Sequence, residues 1–192
     1  MNISTKMIIA LTLVSIIAGF TLAFAYEYFK VRIADNAVKA LNESIGAVIP
    51  GAVSKELIPS DKMTIYKVYD KELNDPNKQL LGYAIVTYAS GYQGSIKILV
   101  SVTPDFSKII TFRVLEHSET PGLGGNIVNP DFIAQYEGLS CDKQIIVIKG
   151  PSKKENNEIS AISGATISSR AVTKALNETF QLAKTIATAN SK

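Results

Sequence analysis

From Met7 to Ala25 the chain carries no charged residue, and its only hydroxyls are Thr12, Ser15 and Thr21, which a helix tolerates. At 1.5 Å rise per residue such a run reaches about 30 Å, the thickness of a bilayer core. Tyr26, Tyr28 and Phe29 follow it as an interfacial aromatic belt would. Residues 1–29 are therefore read as a membrane anchor. Lys6 and the amino terminus on one side nearly balance Lys30 and Arg32, offset by Glu27, on the other, so charge does not fix the orientation. Ala23-Phe24-Ala25 also has the small-x-small form of a signal-peptidase site, but the apolar run exceeds the usual core of about 7–15 residues, which favours retention. Either way the rest of the chain is expected outside the cytoplasm.

About 165 residues remain, enough to bury a real core. The 192 residues carry a net charge of only +3 with no long basic run, which gives nucleic-acid binding little support. One cysteine, Cys141, and one histidine, His117, exclude an intramolecular disulfide and a multi-histidine metal site. No metal ligand is assigned. Redox chemistry in this chain would need an organic cofactor.

Val31, Ala34, Val38, Leu41 and Ile45 repeat at helical spacing, and Pro50-Gly51 ends that pattern. Residues 30–62 are read as a helical linker. Four β-rich runs follow, Met63–Tyr69, Leu80–Tyr88, Ile96–Thr103 and Ile109–Glu116, joined by short turns. Close succession predicts a mostly antiparallel sheet. His117–Asn129 reads as a loop, Asn129-Pro130 as the start of a short helix to Tyr136, and Ile145–Ile148 as a short strand. Pro151–Glu158 reads as a solvated loop. A last helix is predicted from Ile167 to about Ala187, with Val172, Leu176, Phe180 and Ala183 on its buried face. The fold class is α+β, a transmembrane helix followed by an antiparallel sheet with packed helices.

Chemistry concentrates at Ser163-Gly164-Ala165-Thr166-Ile167-Ser168, where the chain enters that helix. Small residues let a ligand approach the backbone, and a helix start favours a phosphate. On the residues alone, Ser163 or Thr166 serves as readily as a helix cap. His117 is read as orienting its loop rather than donating protons. Cys141 is read as a packed thiol. Tyr66, Tyr69, Tyr83, Tyr88 and Tyr92 are read as sheet-packing side chains.

Ser163-Gly164-Ala165-Thr166 resembles the flavinylation motif of the FMN-binding domain shared by the G subunit of Rnf complexes and the C subunit of sodium-pumping NADH:quinone oxidoreductases. His117–Gly124 and Gly91–Ile96 resemble two further segments of that family, in the same order. The resemblance implies that residues 63–192 form an FMN-binding domain with FMN joined to Thr166 by a phosphoester. Ser163, Gly164, Ala165, Ile167, Ser168, Glu119, Thr120, Leu123 and Gly124 would line the site, with Leu123 packing on the ring. It also implies a single-pass protein of the inner or plasma membrane, with its soluble domain on the extracytoplasmic side. Neighbouring membrane proteins of the complex and a flavin transferase would be its partners. Its role would be electron relay within a ferredoxin:NAD⁺ oxidoreductase that moves Na⁺ or H⁺; it would bind neither ferredoxin nor NAD⁺ and would hold no catalytic residue of its own. The C subunit of the quinone-reducing pump, or an anchored binding module without flavin, are the alternatives. One position departs from the pattern: Ser160 stands where the family often has an acid six residues before the threonine, and Glu158 is the nearest carboxylate.

Overall fold

A computed structural model describes residues 2–189, apart from the side chains of Val31 and Ala34. Those two positions of the predicted helical stripe, and residues 190–192 of the predicted flavin domain, lie outside the described residues. The chain divides into two compact units, Met1–Asn42 and Glu43–Lys192. The first is helix alone. Helix α1 runs from Ile3 to Val48, and within it Ile3–Lys30 is long and apolar enough to cross a membrane, with none of its most apolar window buried. The Ile49 amide still reaches Ile45, and Gly51 then turns the chain at φ +84°, a backbone angle that suits glycine.

The second unit is built on a five-stranded antiparallel meander in the order β1-β2-β3-β4-β5. The strands are β1 Ser54–Ile58, β2 Thr64–Tyr69, β3 Leu80–Ser90, β4 Ser95–Val102 and β5 Ile109–Glu116. The four predicted strands are all present. β1 is additional: it pairs with β2 from Ser54 opposite Tyr69 to Ile58 opposite Ile65. The predicted helical linker of residues 30–62 is therefore helical only to Val48, and the sheet begins at Ser54. Five residues with Lys55 and Glu56 at the centre give too short an alternation to announce a strand.

Strand β4 is buried on both faces. Ile96, Ile98, Val100 and Val102 face helix α3, which spans Thr166–Ala189, and are completely buried with its Val172, Leu176, Phe180 and Ala183. On the opposite face Leu99 and Ser101 are equally buried, and the Ser101 hydroxyl donates to the Val48 carbonyl at 2.8 Å. A residue buried on each face at 25–30 cal/mol per Å² makes this strand the energetic centre of the domain. Thr179 of α3 donates to Thr87 of β3 at 2.7 Å, so the helix is pinned as well as packed.

A short helix, α2 (Pro130–Ala134), follows Asn129 as expected, although the Asn129 side chain makes no capping bond. Phe132 and Tyr136 stack edge-on against Phe112 of β5, and the Tyr136 hydroxyl meets Thr173 of α3 at 2.7 Å. Strands β6 (Ile146–Ile148) and β7 (Glu158–Ser160) pair in parallel. Between them Pro151–Glu158 is more ordered than its polarity suggests. Lys154–Asn156 form a 3-10 turn, and Asn157, at φ +59°, bonds Ser140 and Lys143 through its side chain. β7 then delivers the chain to the start of α3.

Candidate functional site

The turn into α3 is set by Gly164 and Ser169. Gly164 has φ +77°, and a Cβ on it would lie 3.2 Å from Leu123 Cδ2, so Leu123 rests against bare backbone there. Ser169, fully buried, accepts from the Ile162 amide and donates to the Ala165 carbonyl, each at 3.0 Å. The first backbone bond of the helix is Ser169 N to Ala165 O at 3.0 Å. The amides of Thr166, Ile167 and Ser168 therefore point out of the helix start with no acceptor among the described residues. Such amides, at the positive end of the helix dipole, form an anion site.

The cap alternative is not realised. Ser163 is exposed, and neither its hydroxyl nor that of Thr166 makes a hydrogen bond among the described residues. Thr166 is half-buried and lines a cavity of about 390 Å³ together with Tyr92, Glu119, Thr120, Leu123, Gly124, Gly164, Ala165, Ile167 and Ser168. Of the expected site residues only Ser163 stands outside this lining. Ile167, Leu123 and Tyr92 are 57%, 48% and 69% exposed, an apolar rim around a polar floor.

Tyr92 is the residue that sequence reasoning misplaced: it lies in the turn after β3, not in the packed sheet. Tyr88 is also exposed, whereas Tyr83 is buried. A tyrosine between Gly91 and Gly94 was the available signal. Their turn is closed by Gly91 N to Gly94 O at 2.8 Å, which pushes the intervening side chains outward.

The loop before α2 is less open than its glycines imply. The Leu123 and Gly125 amides both turn inward to the Thr120 carbonyl, and Gly124–Val128 close into a 3-10 turn. His117 is exposed, and its Nδ1 accepts the Glu119 amide at 3.2 Å, which is the loop-orienting role expected of it.

Glu119 is 5% exposed. Its Oε2 accepts from Ser168 Oγ at 2.5 Å and its Oε1 from the Gln93 amide at 2.9 Å. Burial alone would push its carboxyl up, but the Ser168 hydroxyl and the amides of Gln93, Tyr92 and Gly94 together hold it below the usual carboxylate range. Two glycines make room for it. A Cβ on Gly91 would fall 2.4 Å from Oε1, and one on Gly124 would fall 2.3 Å from Oε2.

Ser160 is occupied too: its hydroxyl donates to Gly150 O at 2.7 Å and accepts from the Ser152 amide at 3.0 Å. Glu158 accepts from the Lys153 amide and from Asn156, so its carboxylate serves the neighbouring turn. A larger groove of about 850 Å³ lies beside the last turns of α3 near Cys141, where Lys184 and Asp142 already pair at 2.7 Å.

The cavity fits an FMN-like group. Its volume lies in the usual ligand range, free amides suit a phosphate, and exposed apolar side chains suit a planar ring. Known proteins agree. Residues 91–181 match the FMN-binding domain family. The chain is 32% identical to the G subunit of the ion-translocating oxidoreductase complex of Methanosarcina acetivorans, over 90% of each chain. It is 31% identical to the G subunit of a proton-translocating ferredoxin:NAD⁺ oxidoreductase complex of Clostridium ljungdahlii, covering 89% of this chain and 86% of that one. Among solved structures, NqrC of Shewanella oneidensis superposes with a TM-score of 0.54 at 26% identity, over 68% of this chain and 66% of the other.

Proposed function

Because the chain belongs to the family of G subunits of ion-translocating oxidoreductase complexes, we propose that it relays electrons within such a complex through FMN carried on Thr166. The assembly would oxidise ferredoxin and reduce NAD⁺ while moving an ion, as the names of relatives state for theirs. Family membership and the apolar Ile3–Lys30 segment make the chain a membrane-anchored member of an oxidoreductase complex. We place residues 63–192, the flavin domain, on the extracytoplasmic side as part of the same proposal, on the strength of the family resemblance, since the charges flanking the anchor do not set its direction.

The observation that carries the attachment is the Thr166 hydroxyl: half-buried in the cavity wall, beside helix-start amides that, like it, have no hydrogen-bond partner among the described residues. Ser168 and Ser169, its neighbours, have hydroxyls tied to Glu119 and Ala165. When bound, FMN would supply the electron-accepting ring. The amides of Thr166, Ile167 and Ser168 would hold its phosphate, while Leu123, Ile167 and Tyr92 would shield its ring from water. Gly164, Ala165 and Gly124 would allow close approach, and Ser163 would mark the start of the sequence read by a flavin transferase. Thr120 would offer a second hydroxyl in the wall. Forming the phosphoester needs an activated flavin phosphoanhydride as donor, hence the enzyme partner.

Co-expression of the full chain with a flavin transferase, followed by intact mass and absorbance under denaturing conditions, tests this. Wild type should gain one FMN mass and a flavin spectrum, and Thr166→Ala should gain neither. A colourless wild type beside a transferase shown to be active on another substrate would end the proposal.

A further inference from the structure

Glu119 is a carboxylate buried in the wall of a cavity suited to an anionic cofactor, and no lysine or arginine pairs with it among the described residues. Burying an unpaired ion is costly, so the fold must compensate. It does so with dipoles. The hydroxyl of Ser168 and the amides of the 92–94 turn converge on the carboxylate, and Gly91 and Gly124, lacking a Cβ, leave the room it occupies. Amides grouped in this way ordinarily form an anion-binding nest. Here the protein's own carboxylate fills it, so the α3 amides are the ones left for a phosphate.

Electrons placed on a ring in this cavity add negative charge near a negative charge that water screens poorly. We infer that Glu119 is a positioning residue that acts as a fixed negative charge in the wall of the flavin site and lowers the midpoint potential of the flavin. Ser168 and the 91–94 turn hold that charge in place. The inference rests on the flavin reading above. It gives the relay a set point built from this chain's own residues, independent of the partners that deliver and remove electrons.

The test is spectroelectrochemical titration of the flavin-loaded full chain in detergent, with electrons supplied by an electrode through mediators. Glu119→Gln keeps the shape and an acceptor oxygen but removes the charge. Its potential should rise by at least about 30 mV, a tenfold change in a two-electron equilibrium. Ser168→Ala removes the same 2.5 Å bond while keeping the charge. Its potential should stay at or below that of wild type, because the carboxylate then shares less of its charge with a donor. An unchanged potential in Glu119→Gln, or an equal rise in Ser168→Ala, overturns the inference. If Glu119→Gln does not take up flavin, Ser168→Ala decides alone, any rise overturning the inference and a potential at or below wild type sustaining it. Absence of flavin from wild type would instead remove the reading beneath it.

Discussion

Gly124→Ala is the sharpest probe of the site, because one methyl group must displace a buried ion. The added Cβ would meet Glu119 Oε2 at 2.3 Å, Ser168 Oγ at 2.6 Å and Glu119 Cβ at 3.1 Å. Neither oxygen is a free end that can swing away, since each is held by the other. The carboxylate must therefore leave its nest. Losing a hydrogen bond to a charged group costs about 1.5–3 kcal/mol, and overpacking a filled site costs about 1–3 kcal/mol. Together they predict a loss of about 2.5–6 kcal/mol. Gly122→Ala is the control: φ there is +76° but nothing lies within 4 Å of the new Cβ. It should cost only the left-handed backbone strain, about 1–2 kcal/mol. In urea, with a slope of about 2 kcal/mol per molar, the midpoint should fall by about 1.3–3 M for Gly124→Ala and by about 0.5–1 M for the control. Near-ultraviolet circular dichroism of the full chain in detergent would report this, because it reads packed aromatic rings such as Tyr83 and Tyr136 and not the helical backbone of the anchor. Equal midpoints for the two variants would refute the idea that space around Glu119 is the constraint.

Other expectations follow from single sites. Asn157→Ala should cost about 3–4 kcal/mol, from three lost hydrogen bonds and left-handed strain, and Asn157→Gly about 1 kcal/mol less, read by thermal unfolding. Thr103 first, then Ser107, donate to Asp105 and lower its carboxyl from 3.8 to about 2. A depressed carboxyl contributes stability above its unfolded value and loses it as pH falls through the folded one. Wild type should thus lose stability between pH 3.8 and about 2 relative to Asp105→Asn, measured as the difference in urea midpoints. Burial pushes the Cys141 thiol up to about 12. Its alkylation by iodoacetamide at neutral pH should therefore track global unfolding and not precede it.

The sequence carried the parts of this fold that repeat. Strands β2 to β5 and helix α3 announce themselves because each is long enough for its period to show. β1 and β7 are too short, and β7 owes its place to the left-handed Asn157 and to pairing with β6. The position of Thr166 at a helix start was legible from its small neighbours. The role of Glu119 was not. Its partners Gln93 and Ser168 lie 26 and 49 residues away, and no local pattern encodes a bond at that separation. The exposure of Tyr92 follows from the turn closed between Gly91 and Gly94, a glycine pair that marks the turn in the sequence but not the direction its tyrosine takes.

The idle hydroxyl of Thr166 bears on the order of events in maturation. Side-chain hydrogen bonds at the start of α3 run through Ser168, Ser169 and Glu119, and among the described residues none runs through the Thr166 hydroxyl. Derivatising that oxygen breaks no bond that the folded chain relies on. On the proposed attachment, the polypeptide could thus finish folding first, and the flavin transferase would act on a finished surface rather than on a nascent chain.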